Sequence, residues 1–238
     1  MTNLPHPHLD LAGTIRPGLD ILANEIVIAL KKRTRFSINE PVYKSGLVVS
    51  DPEVSLLDHV LGRIEHCHAE LGRYTFAAQD AFTTVHHIAP VINRPAPESP
   101  LQPMKSGAGN QIIAFYKQWI ETTCSRGDDP DTYGETVTSD VVALLAIMER
   151  VNLGKPVAEA KFLEQPKAFI DTAGDRDGLL SLLVKRDREA QVLKLADSLA
   201  RRYELPSASV VDVFKFMIST TIDIEIDYLR MRMASADS

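Results

Sequence analysis

Residues 133–162 read YGETVTSDVVALLAIMERVNLGKPVAEAKF, and this stretch decides the fold class. Apolar residues recur at helical spacing from about 137 to 153, which predicts one helix that ends at Gly154. Pro156 then begins a short helix that runs to about Lys161 or beyond, because proline is favoured in the first turn of a helix. Two helices in direct succession indicate a helical domain.

The rest of the chain repeats this helical pattern. Apolar spacing predicts five further helices, at about 17–35, 52–74, 110–124, 175–203 and 207–233. The second of them is expected to begin at Asp51-Pro52, a capping residue followed by a proline. Strand signals are scarce, since only 42–51 and 83–92 resemble short strands and neither has an alternating partner. We therefore predict an all-α bundle of about eight or more helices that forms one domain, 1–238.

Three segments are predicted to lie outside the helices: an N-terminal tail at 1–13, a proline-rich loop at 83–109 and a polar loop at 125–136. The proline-rich loop contains Pro90, Pro95, Pro97, Pro100 and Pro103. A loop of this length inside a compact domain is usually functional or mobile.

Composition weakens or excludes several functional classes. The chain has 238 residues, of which 45% are hydrophobic and 24% charged, as in a folded globular protein. A net charge of −6 without any Lys/Arg-rich run weakens the case for nucleic-acid binding. Cys67 and Cys124 are too few for a disulfide framework or a cysteine-based zinc site, although a single disulfide between them stays open. The clusters His66-x-His68 and His86-His87 lack acidic or cysteine companions at ligand spacing, so no metal site is expected.

No targeting segment is evident in this sequence. Its longest apolar stretches fall short of the ~20 residues of a membrane helix. The first ten residues, MTNLPHPHLD, lack the basic and apolar regions of a signal peptide. We expect a cytoplasmic protein, although a mature secreted form would have the same appearance.

Polar residues on otherwise apolar helices are the candidates for function. Thr221 and Glu225 are four residues apart and therefore share one helix face, among isoleucines. Arg150 ends an apolar run, Lys161 lies directly before Phe162, and Lys185 and Glu189 form another pair four residues apart. Each also has a structural explanation, such as a surface ion pair, a cation at a helix C-terminus or a backbone-bonded hydroxyl. Composition and spacing leave both interpretations open.

Several segments together resemble a known family. The stretch 133–162, with its apolar helix ending in Arg and its G-K-x-V-A-E-A-K-F motif, is similar to the signature of the eukaryotic-type, all-helical (AroQ class) chorismate mutases. RIEHCHAELGRYT (63–75), TIRPGLDILANEIVIALKKRTRF (14–36) and the C-terminal Thr-x-x-x-Glu also match that family. The resemblance implies an isomerase that converts chorismate to prephenate in phenylalanine and tyrosine biosynthesis, and a homodimer.

The resemblance also implies catalytic roles. Arg16 and Arg150 would each hold one of the two carboxylates of chorismate through charge-assisted hydrogen bonds. Lys161 would donate to the ether oxygen, and Glu225 would face that oxygen in its protonated form. The reaction is a pericyclic rearrangement, for which no cofactor or metal is expected.

Three further residues complete the expected substrate site. The resemblance implies that Thr221 donates to a carboxylate and that Glu189 accepts from the ring hydroxyl. Lys185 replaces an amide that the family usually has one turn before Glu189, so it either adds a cation for the carboxylates or pairs with Glu189. Arg16 is followed directly by Pro17, which places Arg16 at the cap or in the first turn of its helix.

The effector site of the regulated family members is altered here. Arg73, Gly134 and Thr138 match that site, whereas Gly72 replaces a second arginine and Glu135 replaces a serine. A carboxylate there opposes the binding of an amino acid's own carboxylate. We therefore predict weak or absent feedback control by aromatic amino acids.

Two other functions stay open from the sequence. One is a non-catalytic helical interaction protein on the same scaffold, against which the retained Arg150, Lys161, Glu189 and Glu225 argue. The other is elimination of pyruvate from isochorismate, which the same charged residues do not exclude.

Overall fold

The structure is a computed structural model that describes residues 9–85, 87–93 and 98–235. Within these ranges the chain forms nine α-helices: α1 Arg16–Arg33, α2 Leu56–Glu70, α3 Gly109–Thr123, α4 Tyr133–Asn152, α5 Gly154–Glu164, α6 Pro166–Ile170, α7 Arg176–Leu183, α8 Arg186–Arg202 and α9 Ser207–Ala234. The described residues contain no strand, only one isolated bridge between Ser45 and Ser55. The predicted all-α class is confirmed, and the described residues of the two strand-like segments, 42–51 and 83–92, form no strand.

Two adjoining apolar cores organise the helices. The larger contains fully buried residues from α1, α4 and α9, among them Leu30, Leu144 and Phe214. The smaller lies between α5, α6, α7 and α9 and includes Phe169 and Ile226. The 28-residue α9 contributes buried residues to both cores and so connects them. Among the helices of the described residues, none combines the length and the apolar character that a membrane span requires.

The predicted helix at 175–203 is wrong, because the structure divides it into α7 and α8. Val184 and Lys185 are extended there, with ψ of 124° and 86°. The break frees the carbonyl of Leu183, which accepts a hydrogen bond of 3.1 Å from Lys161 Nζ. A contact between residues 22 positions apart cannot be read from local periodicity.

Several helix starts also differ from the prediction. α2 begins at Leu56, because the Ser55 hydroxyl caps it by accepting from the Asp58 amide at 3.1 Å. α4 begins at Tyr133 and shortens the predicted loop at 125–136; the Asn39 amide group, which donates to Thr136 at 2.8 Å, holds its first turn. α5 begins at Gly154 rather than at Pro156.

The N-terminal segment is shorter than predicted. A π-helical turn, Leu11–Ile15, leads directly into α1, and the Asp10 carboxylate caps it by accepting from the amides of Ala12 and Gly13. Arg16 is therefore the first residue of α1, in agreement with its expected position at the cap or first turn. Residues 1–8 of the predicted tail lie outside the described residues.

The described part of the proline-rich loop is irregular up to α3 and is anchored to α5. The fully buried Lys155 ammonium forms an ion pair with Asp80 at 2.9 Å and donates to the carbonyl of Met104 at 2.6 Å. One side chain of α5 thus contacts both Asp80, just before the loop, and Met104, near the end of the loop. His86, Pro95 and Pro97 lie outside the described residues.

Candidate active site

Lys161 and Glu225 form an ion pair that connects α5 to α9. Lys161 Nζ donates to Glu225 Oε2 at 2.8 Å and to the carbonyl of Leu183 at 3.1 Å. The Glu225 side chain is 5% exposed and that of Lys161 is 20% exposed. Burial raises the pKa of the Glu225 carboxyl; Lys161 opposes this with its charge and hydrogen bond, whereas the charge of Glu189 adds to it. At a given pH, Glu225 is therefore more often protonated than an ordinary carboxyl.

Arg150 is a buried cation without a carboxylate partner among the described residues. It lies in the last turn of α4, is 5% exposed, and its Nε has no hydrogen-bond acceptor there. The guanidinium lies over the ring of Phe214, at 5.5 Å from the centroid. Burial lowers the pKa of Arg150 to about 10, with a further decrease from the charge of Arg188 that Asp20 opposes. The group stays charged at neutral pH and is available to an anion.

The corner between α4 and α5 brings Arg150 close to α9. Gly154 occupies this corner, and a side chain there would meet the carbonyl of Thr221 at 3.1 Å and Ile224 Cγ2 at 3.3 Å. The absence of a β-carbon at Gly154 permits this close approach of α5 to α9. It places the end of α4 beside the Thr221–Glu225 face.

One cavity of about 140 Å³ joins these groups. All seven residues predicted for substrate binding and catalysis line it: Arg16, Arg150, Lys161, Lys185, Glu189, Thr221 and Glu225. They come from five helices, α1, α4, α5, α8 and α9, or from the ends of these helices. Apolar side chains such as Leu153, Val157 and Ile222 form the remaining wall.

The lining of this cavity is strongly cationic. It has five cationic side chains, because Arg188 joins the four predicted ones, and only two carboxylates, Glu189 and Glu225. This excess is notable in a chain whose net charge is −6. Two larger cavities, of about 630 and 500 Å³, border the proline-rich loop, and neither lining holds more than one cationic residue. Charge thus distinguishes the small cavity as a site for an anion.

The polar side chains of the cavity differ in their hydrogen bonds, ion pairs and exposure. The Thr221 hydroxyl donates to the carbonyl of Met217 at 2.7 Å, so donation to a ligand requires it to rotate away from that bond. No ion pair joins Lys185 to Glu189 in the described part of the chain, although both line the cavity. Lys185 is exposed at the N-cap of α8 and Glu189 is half-buried one turn later.

The residues predicted for an effector site lie outside this cavity. Arg73 forms an ion pair of 2.9 Å with Glu149, near the end of α4. The Thr138 hydroxyl donates to the carbonyl of Gly134 at 2.8 Å in the first turns of α4. Glu149 and Thr138 are about 16 Å apart along the helix, at about 1.5 Å per residue. Within one chain these residues do not form a single site.

Known proteins are similar to this chain in sequence and in fold. The family described as chorismate mutase type II matches residues 133–226. The chorismate mutase of Schizosaccharomyces pombe is 29% identical over 92% of this chain and 95% of its own length. Residues 133–226 thus match the chorismate mutase type II domain, and relatives of nearly the whole chain are eukaryotic chorismate mutases. The resemblance stated from the sequence is thereby confirmed.

Solved structures of chorismate mutases have the same architecture. That of Candida albicans, in complex with L-Trp, is 25% identical with a TM-score of 0.87, over 95% of this chain and 93% of its own. The maize chloroplast chorismate mutase is 25% identical with a TM-score of 0.80, over 93% of this chain and 94% of its own. The likeness therefore extends beyond the C-terminal half to nearly the whole chain.

The sequence prediction missed one cationic residue of this cavity, Arg188. Arg188 lies in the first turn of α8 and lines the cavity, where it pairs with Asp20 of α1 at 3.0 Å. Its helical position, three residues after Lys185 and one before Glu189, was a signal that could have identified it. The pairing with Asp20 had no such signal, because 168 positions separate the two residues.

Proposed function

We propose that the chain is an isomerase that converts chorismate to prephenate in the cationic cavity, a step of phenylalanine and tyrosine biosynthesis. The observation that carries this proposal is the placement of the unpartnered Arg150 beside the Lys161–Glu225 pair in one cavity. A buried guanidinium without an anion suits a ligand carboxylate, and an ammonium next to a neutral acid suits a developing oxyanion.

The carboxylates of chorismate would bind to the guanidinium groups. Arg150 lies at the buried end of the cavity, and Arg16 lies at its exposed edge, in the first turn of α1. Separate guanidinium groups for the two carboxylates would hold the enolpyruvyl side chain over the ring, in the folded conformer that reacts. Lys185 would add to the positive potential at the exposed edge.

The ether oxygen would lie between Lys161 and Glu225. An ammonium has three donors, and two of those of Lys161 are used by Glu225 and Leu183, so the third is free for the oxygen. Glu225 uses Oε2 to accept from Lys161, which leaves a protonated Oε1 able to donate from the other side. As the C–O bond breaks and the C–C bond forms, both donors stabilise the negative charge on that oxygen.

These contributions are of the right size for a useful enzyme. A millionfold acceleration requires about 8 kcal/mol of transition-state stabilisation. Loss of one oxyanion donor commonly costs ~10²–10³ in turnover, or about 2.7–4 kcal/mol. Two such donors and the orientation of the reacting atoms would supply this energy. Thr221 and Glu189 would contribute to orientation, through a carboxylate and the ring hydroxyl.

The deciding experiment measures chorismate consumption by the wild type and by Lys161→Ala. We expect prephenate as the product and a fall of ~10²–10³ in turnover for the variant. Lys167→Ala is the matched control, because Lys167 is exposed on α6 and its ion pair among the described residues is with Asp171, also on the surface. A wild type that does not consume chorismate, or a Lys161→Ala variant with full turnover, would refute the proposal. Formation of pyruvate from isochorismate would instead support the elimination reaction.

We also propose that the protein is a cytoplasmic homodimer. Exposed apolar side chains on α2 and α4, including Ile64 and Val142, are candidates for a surface buried between two copies. Light scattering after size exclusion would test the dimer, and cell fractionation would test the compartment.

A further inference from the structure

Arg188 lies at the rim of the cavity, partly exposed to solvent. It lines the same cavity as Arg150, and its side chain is only 34% exposed. Its Nη2 donates to Asp20 Oδ1 at 3.0 Å, which ties α8 to the first turns of α1 at the rim of the cavity. Nη1 makes a longer contact of 3.4 Å with Gln191 Oε1. The remaining donors of its guanidinium are unused among the described residues.

Arg150 and Arg188 are near enough to affect each other. The charge of Arg188 lowers the pKa of Arg150, after the larger effect of burial, and only Asp20 opposes it. Asp20 contacts Arg188 directly and has no hydrogen bond to Arg150 in the described part of the chain. The carboxylate of Asp20 therefore pairs with Arg188, and Arg150 has no carboxylate partner among the described residues. A second anion between them would remove their mutual repulsion.

We propose that Arg188 binds a carboxylate of the substrate together with Arg150, and that Asp20 is the positioning residue that holds Arg188 at the cavity. This inference rests on the proposed function. It assigns three arginines rather than two to the dicarboxylate, with Arg16 on one carboxylate and the Arg150–Arg188 pair on the other. Because a carboxylate has about four lone-pair positions, it accepts from two guanidinium groups at once.

The expected effect is on substrate binding. Because the charge of Arg188 acts on Arg150, we expect Arg188 to contact a carboxylate rather than the ether oxygen. Such a contact forms before the reaction and persists through it. Such uniform binding lowers KM and leaves kcat almost unchanged. We expect Arg188→Ala to raise KM for chorismate about tenfold, as loss of one charge-assisted hydrogen bond does, with kcat within about threefold of wild type.

The matched control is Arg186→Ala. Arg186 is exposed, lies two residues earlier on α8 and does not line the cavity. This variant removes the same charge from the same helix turn, and its KM should stay within about twofold of wild type. Arg188→Lys should have an intermediate KM, since an ammonium keeps the charge but not the forked geometry. Asp20→Asn should raise KM by about two- to threefold with kcat unchanged, because it weakens the positioning of Arg188.

The results separate this inference from the proposed function. A KM of Arg188→Ala equal to that of Arg186→Ala, in a wild type that converts chorismate, would refute the role of Arg188 and leave the proposed function standing. A decrease in KM for Asp20→Asn would mean that Asp20 competes with the substrate, and would refute its positioning role. A wild type without turnover would refute the proposed function itself. Circular dichroism and thermal midpoints establish that each variant is folded.

Discussion

Arg33 and Arg150 are both buried, but among the described residues only Arg33 has a carboxylate partner. Arg33 is fully buried, its Nε donates to Asp140 at 2.6 Å, and its other nitrogens donate to two carbonyls and to Tyr43. Burial alone would lower the pKa of Arg33, but the charge of Asp140 raises it well above the usual value. Arg150 has a ring beneath it, a neighbouring cation and no carboxylate among the described residues.

This contrast distinguishes a structural cation from a ligand-binding one. An unpaired buried charge is costly, so a fold keeps one only where something other than the protein pairs with it. The network of Arg33 holds α1 against α4 and stabilises the fold. The site of Arg150 is less stable than an apolar one would be, and an anionic ligand offsets that cost.

The largest expected effect on stability is that of Arg33→Ala. It leaves Asp140 buried without its cation, and breaking a buried pair typically costs about 3–5 kcal/mol. Urea unfolding at neutral pH measures the difference in the free energy of unfolding. Lys32→Ala, an exposed neighbour in the same turn, should change it by less than about 0.5 kcal/mol. A loss below about 1 kcal/mol for Arg33→Ala would remove the contrast between the two arginines.

Arg150→Met should separate stability from activity. Methionine fills a similar volume and removes an unpaired charge, so the free energy of unfolding should stay equal or rise by about 1 kcal/mol. The value of kcat/KM for chorismate should fall by at least about a hundredfold, because the buried contact to a carboxylate is lost. Denaturation and steady-state kinetics on the same preparation test both parts. A variant that is strongly destabilised would show that Arg150 is structural, like Arg33.

The next effect concerns the acid beside Lys161. Because the pKa of Glu225 is raised in the folded protein, its protonated, donating form persists above the usual range of a carboxyl. Turnover should therefore be at its maximum at low pH. It should decrease as pH rises through the raised pKa of Glu225, by up to tenfold per pH unit.

Glu225→Gln provides the comparison. An amide donates at every pH, so the variant's profile should be flat through the same interval. Glu164→Gln, an exposed substitution near the end of α5, should keep the wild-type profile. A wild-type rate that is independent of pH from acid to mild alkali would contradict the role of Glu225.

The smallest effect is expected from aromatic amino acids. Arg73 resembles Arg33 more than Arg150, because it already has a carboxylate partner in Glu149 at 2.9 Å. Together with the negative charge of Glu135, this pairing opposes binding of an amino acid's carboxylate. Added tryptophan or tyrosine should change turnover by less than about twofold. Glu149→Ala, which frees Arg73, is the informative companion variant, and a severalfold response of the wild type would overturn the prediction.

Much of the fold was predictable because helical periodicity is local. The apolar spacing predicted α1, α3 and α9 closely, with ends within one or two residues. The failures occurred where a distant group intervened. The division of α7 from α8 provides the Leu183 carbonyl for Lys161, and the early start of α4 depends on Asn39.

The helical class, the resemblance to chorismate mutases and the seven candidate residues follow from spacing and motif order, which are properties of the chain alone. Which charges are paired follows from the packing of the helices. Lys161 meets Glu225 across 64 positions and Arg188 meets Asp20 across 168, whereas Arg150 meets no carboxylate among the described residues. These pairings depend on how helices pack and how much water they exclude, and the strength of each charge interaction follows from that burial.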